Sequence, residues 1–247
     1  MLFSGFFPQI GLDETVALTN RLDEKASGNV DFYMTMVLST ALASLGLLQN
    51  SVPVVIGAMI VAPLMGPLVA AGLALVEADG QLFRKGVLVT CIGIVVGFCI
   101  SLLFGFMKSR FEPTLEIEAR GTPDLLDLGI AFFSGMTAAY ALSRANVMNV
   151  IAGVAIAAAL VPPLAVIGIA VGSGRYVIAG NATILLVTNV VAIILGAALV
   201  FRLMGVTASE STYGVRKGNW ARRAVMILLL FSVLLVAPLF VSMLRSY

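Results

Sequence analysis

Two short stretches hold the residues whose type and spacing could do chemistry: Ala62-Pro63-Leu64-Met65-Gly66-Pro67 and Val161-Pro162-Pro163-Leu164. Each sits inside a long apolar run. Proline lacks a backbone N–H, and its ring clashes with the carbonyl one turn earlier. Prolines this close together are expected to break a helix rather than bend it. In lipid, the freed carbonyls must be satisfied inside protein or in a wet cavity. Half-helix ends then present partial charges, N–H groups toward an anion and carbonyls toward a cation, so an ion can be held without an ionised side chain. Pro63, Gly66, Pro67, Pro162 and Pro163 would shape such a site, and Ser39, Asn50, Ser51, Ser134, Asn149, Thr188 and Asn189 would line a polar path. Plainer roles exist for each. A kink serves packing, helix capping accounts for Asn50, Ser51 and Asn149, and interhelical hydrogen bonding accounts for Asn189.

Other chemistries lack their residues. The chain has no His, which excludes His-based metal sites, triads and pH switches. Cys91 and Cys99 lie in an apolar run and read as small packing residues. No Asp, Glu, Lys or Arg lies deep in the central apolar runs, where proton relays and voltage sensors need one. Glu77, Asp79, Asp124 and Asp127 mark run ends. Without a nucleophile paired to a base, an intramembrane enzyme is not expected, nor is a cofactor.

The elements that must position these residues follow from the apolar runs. Of 247 residues, 60 % are apolar and 11 % charged, against roughly 25 % charged in a soluble domain. Too little polar surface exists for a soluble globule, and the formal charge of +2 leaves no footprint for nucleic acid. A spanning helix takes about 20 apolar residues. Seven candidates emerge, at about 32–49, 51–77, 86–107, 124–143, 147–174, 176–201 and 224–244. Thr122-Pro123-Asp124 reads as the cap and first turn of the fourth. The expected class is therefore an all-α integral membrane protein.

The first 30 residues lack the basic start of a secretory signal. Within them, Leu12, Val16 and Leu22 set against Asp13, Glu14, Asp23, Glu24 and Lys25 predict an amphipathic helix at the membrane interface.

The two Pro-rich helices belong to a repeat. At an offset of 100, Ala58, Val61, Pro63 and Leu64 meet Ala158, Val161, Pro163 and Leu164, and Ser39 meets Ser134 at an offset of 95. The expected organisation is an N-terminal segment 1–30, a repeat over 31–107, a loop 108–123, a second repeat over 124–206, a loop 207–219 and an extra spanning helix within 220–247. Three spans per half is odd, so the second half must enter the membrane the opposite way up, as in secondary transporters and some channels. Counting Lys and Arg gives ten on the N-terminal side and five on the other, which favours a cytoplasmic N-terminus. Small-residue pairs such as Gly93 and Gly97, or Gly168 and Gly172, suit close helix packing or a homo-oligomer.

Several stretches carry a family resemblance: Gly46-Leu-Leu-Gln-Asn-Ser51, the run from Val55 to Pro67, Ser134-Gly-Met-Thr-Ala-Ala-Tyr-Ala141, the run from Gly153 to Ala165, and Thr188-Asn-Val-Val-Ala-Ile193. Together they resemble a bacterial family of hydrophobic membrane proteins, number 389 in the series of domains of unknown function, over about residues 31–205. The resemblance implies an integral membrane fold and a bacterial inner (plasma) membrane setting; it implies no substrate, cofactor or catalytic residue. Function then divides between a transporter or channel, moving a small solute or ion between the two Pro-broken helices, and an oligomeric scaffold or sensor with no path.

Overall fold

The computed structural model describes residues 9–107, 112–121, 124–144 and 152–206, together with Met226; for 152–159 it describes the backbone alone. Among these residues every regular element is a helix. In chain order they are α1 (Leu12–Lys25), α2 (Val30–Leu48), α3 (Val52–Val61), α4 (Met65–Glu77), α5 (Gly80–Met107), α6 (Leu115–Arg120), α7 (Leu125–Ser143), α8 (Ala152–Gly172) and α9 (Tyr176–Leu203). Four of them, α2, α5, α7 and α9, are long and apolar enough to cross a membrane, and α3 with α4, bent by 55° at residues 62–64, has together the length and apolarity of a fifth span. The chain is a multi-pass membrane protein. The seventh candidate at 224–244 and the loop 207–219 lie outside the described residues.

Small residues set how the helices meet. Gly97 of α5 lies against Leu164, Gly168 of α8 against Ser101, and Gly105 against Ile169 and Gly172, so α5 and α8 advance side by side in the same direction. Gly135 of α7 meets Ile193 of α9, and near the starts of both helices the Asn181 side-chain amide donates to the Gly121 carbonyl just before α7, so α7 and α9 also run parallel. In lipid, such close approach and the dispersion contacts it allows replace the water-driven hydrophobic term.

Direction alternates through each half. α2 runs toward the turn at Asn50, where a left-handed backbone (φ 55°) reverses the chain. α3 and α4 return from it, and Ala78, also left-handed (φ 57°), turns the chain into α5. α7 then runs away from the Asn50 end, α8 toward it and α9 away. Each helix of the second half thus runs opposite to its counterpart in the first, which is the expected inversion.

The structure corrects four expectations. The middle helix of the second half is not broken: α8 continues through Pro162 and Pro163. The spacing of the prolines explains the difference. Pro63 and Pro67 stand four apart, so they strip ladder bonds from one face over two successive turns, and the helix opens there. Pro162 and Pro163 are adjacent and strip neighbouring carbonyls within a single turn.

The second correction concerns α1. Its buried stripe is Thr15, Leu18 and Leu22, packed on α4, whereas Leu12 and Val16 face outward. Thr15 tolerates burial because its hydroxyl donates to the Gly11 carbonyl at 2.9 Å. Third, α7 starts two residues later than expected. Asp124 is its cap, in a reciprocal box with Asp127. Fourth, Cys91 and Cys99 are exposed, on the face of α5 away from its glycine stripe.

Candidate functional site

The break lies between α3 and α4, over residues 62–64, where the two helices meet at 55°. α3 supplies 10 residues on one side and α4 supplies 13 on the other, so the break falls midway along the crossing. Met59 loses its ladder donor because Pro63 has no N–H, and Pro63 in turn loses the donor of Pro67. One carbonyl at the break is capped from a neighbouring helix: Ser39 Oγ of α2, fully buried, donates to the Ala58 carbonyl at 2.7 Å. Leu64, 2 % exposed, packs against Gly93 in the middle of α5. Ala62, Pro63 and Met65 are half-buried.

The other half of the motif is closed by packing. Gly66 is covered by Lys25: a methyl group there would lie 2.9 Å from both the Lys25 Cβ and its carbonyl oxygen. The Pro67 carbonyl sits against Gly86 on α5. Both residues serve helix crossings.

Four further predicted residues lie within about a turn of the level of the break. Gly72 of α4 meets Ile194 and Ala197 of α9. On these parallel helices, Leu64 and Asn189 each lie about two turns before that contact, which puts them level. Asn189 is 3 % exposed and Thr188 is 4 % exposed; the Thr188 hydroxyl donates to the Ile184 carbonyl of its own helix at 2.8 Å. Pro162 and Pro163 are buried within a turn of the same level, since Leu164 meets Gly97 where Leu64 meets Gly93.

The remaining predicted residues lie elsewhere. Asn50 and Ser51 form the turn at the far end of α3. Asn50 Oδ1 accepts from the Glu116 N–H at 3.1 Å, and the Ser51 N–H donates to the Gly46 carbonyl at 2.8 Å. Ser134 is buried on α7 beside Gly135, which meets Ile193 about one turn beyond Asn189, and lines a groove of about 640 Å³ with Leu126, Gly129, Ile130, Phe133 and Thr137. Asn149, like Asn146, lies outside the described residues.

Sequence reasoning missed how α6 fastens the turn at Asn50. Thr114 caps α6 and donates to the Leu47 carbonyl at 2.7 Å. A Thr followed by two acids in the next four residues was the available signal, obscured because 108–123 reads as a loop. The contact of Lys25 on Gly66 was also missed; a glycine beside a proline marks a tight crossing as readily as a hinge.

The chain matches the family described as "Domain of unknown function (DUF389)" over residues 59–195. An uncharacterised protein of Methanocaldococcus jannaschii is 30 % identical over 224 residues, covering 91 % of this chain and 68 % of that protein. No solved structure matches.

Proposed function

The chain belongs to the DUF389 family, and on that premise we propose that it moves a small solute or ion across the membrane, past the break between α3 and α4 and the middles of α8 and α9. The family's matched region runs from the last turn of α3 into α9 and so holds every one of these parts. The observation that supports transport most directly is the break itself: half-buried residues, with carbonyls stripped of ladder donors, midway along a bent apolar pair long enough to span. Backbone of that kind is tolerated at membrane depth where it lines a cavity or is buried in protein. Freed carbonyls would bind the cargo, Ser39 would hold the α3 end in shape, and Asn189 would give the opposite wall its polar group. Small residues on α5, α7 and α9 suit a homo-oligomer as well as internal packing. The groove on α7 favours a second reading, in which the protein is an oligomeric scaffold or sensor.

Transport is tested with purified protein in proteoliposomes, using uptake of labelled sodium, chloride, phosphate and a neutral amino acid. At least one cargo should enter above the rate of empty vesicles, and Asn189→Leu should return that rate to background while eluting as a folded species. Flux of none of the four, or flux unchanged in Asn189→Leu, would favour the scaffold.

Location in an inner (plasma) membrane with the N-terminus in the cytoplasm is part of the same proposal, on the Lys and Arg bias. It is checked in intact cells with an impermeant maleimide, in a Cys91→Ser, Cys99→Ser background. Arg144→Cys is expected to be shielded until the cells are lysed, whereas Ser51→Cys labels from outside. Labelling of both from one side would remove the inverted arrangement.

A further inference from the structure

The proposed path makes no use of α1, yet α1 is fastened to α4 at both ends. At the start of α4, Lys25 backbone and side chain close over Gly66. At its end, Thr19 Oγ1 donates to Glu77 Oε1 at 2.8 Å. From α5, the Lys85 ammonium donates to Asp23 Oδ1 at 2.7 Å and to the Asp23 carbonyl at 2.9 Å. Leu22 is buried between these fastenings, and Leu18 and Ala26 are buried next to them. The helix lies as a strap along α4, from the break to the turn at Ala78.

Its fastenings are of a kind that can be undone. A helix of 14 residues is marginal alone in water, so α1 depends on its docking. The Lys85 and Asp23 side chains are 35 % and 53 % exposed, so salt screens their attraction and the pair holds weakly. The chain passes from Lys25 into α2 through residues 26–29, and α2 carries Ser39, which caps the carbonyl at the break. Lifting α1 therefore loosens the cover of Gly66 and pulls on the helix that holds the other side.

We propose that α1 is a releasable strap over the α4 side of the break. Docked, it holds the bend and closes the break to water from the Glu77 end; released, it opens that approach. The proposal rests on the path described above, so its test reads access to the break and does not depend on cargo.

The experiment uses the full chain in proteoliposomes with Cys91→Ser and Cys99→Ser, and two reporters, Ala26→Cys under the strap and Leu64→Cys at the break. The strap is unlatched by Thr19→Val with Asp23→Asn, two substitutions on the partly exposed side of α1. Labelling by an impermeant maleimide should be about five-fold faster at both reporters in the unlatched protein, the scale set by losing a weak ion pair and one hydrogen bond. High salt should move the latched protein in the same direction. Equal rates in latched and unlatched protein at both reporters would overturn the strap alone. Faster labelling at Ala26→Cys without a change at Leu64→Cys would overturn the claim that α1 covers the break. A Leu64→Cys thiol that never reacts would overturn strap and path together.

Discussion

Gly135→Val is expected to leave no folded protein. A Cβ at Gly135 would stand 2.7 Å from the Ile193 Cα and 2.8 Å from its carbonyl carbon. On the same pair of helices, a Cβ at Gly196 would meet the Phe132 carbonyl and come within 3.2 Å of the Met136 nitrogen. α7 and α9 therefore touch backbone to backbone from both sides of one crossing. Overpacking costs about 1–3 kcal/mol where side chains can yield. Here the obstacle is the main chain of a 28-residue helix, which cannot rotate aside, so the two helices must separate. That removes a principal interface from a protein whose net stability is of order 5–15 kcal/mol. Gly129→Val and Gly57→Val are the controls, because nothing lies within 4 Å of a Cβ at either position. Size-exclusion chromatography and thermal unfolding in detergent decide the matter. A monodisperse Gly135→Val protein unfolding at the same temperature as the controls would mean that α7 and α9 do not meet in this way.

The second large effect is expected from Pro63→Ala combined with Pro67→Ala. A proline in a helix interior costs about 3 kcal/mol relative to alanine, so the pair removes a strong bias against a continuous helix. Two donors return to one face, and α3 and α4 should tend to fuse. The packing of Gly66 on Lys25 and of Pro67 on Gly86 opposes straightening, but these are contacts between neighbours that can shift together. Helices of 10 and 13 residues meeting at 55° lengthen end to end by about 4 Å when made collinear. Spin labels at Ser51→Cys and Asp79→Cys would read that change by electron–electron distance measurement, and flux of the cargo found in proteoliposomes should fall to background. Pro162→Ala should move neither quantity far, because α8 is already continuous there. An unchanged distance in the double variant would assign the bend to tertiary packing and not to the prolines.

Much of this arrangement is legible in the amino acids, for physical reasons. Charge-free runs report spanning helices because lipid tolerates little else, which is why α2, α5, α7 and α9 match their expected positions. The inversion follows from counting crossings per repeat. The matched Pro-Leu pairs at 63–64 and 163–164 located the centre of both halves, since Leu64 and Leu164 each pack against a glycine in the middle of α5. Similar composition did not carry similar backbone geometry. Two prolines four apart and two adjacent prolines look alike as motifs, yet they remove hydrogen bonds from different numbers of turns. Asn50 shows a different gap. Its turn was expected, but the partner of its amide, Glu116, lies 66 residues away and belongs to a segment with no periodic signal. Thr15 shows a third: a polar residue that satisfies itself on its own helix can sit in a buried stripe, and hydrophobic patterning then assigns the wrong face.

The shortness of the links has a mechanical consequence. Two residues, Ala78 and Asp79, join α4 to α5, and three residues, 49–51, join α2 to α3. Neither link has slack, so each pair of helices is a stiff arm, and residues 62–64 are the joint between the arms. Motion at such a joint cannot be absorbed locally. A rotation of about 10° there displaces the tip of α3, about 15 Å away, by roughly 3 Å. Because the Asn50 turn is tied to Glu116, and Leu47 is tied to Thr114, that displacement is carried into the connection between the two halves of the molecule. A flexing event at the centre of the fold is thereby converted into a shift at its surface.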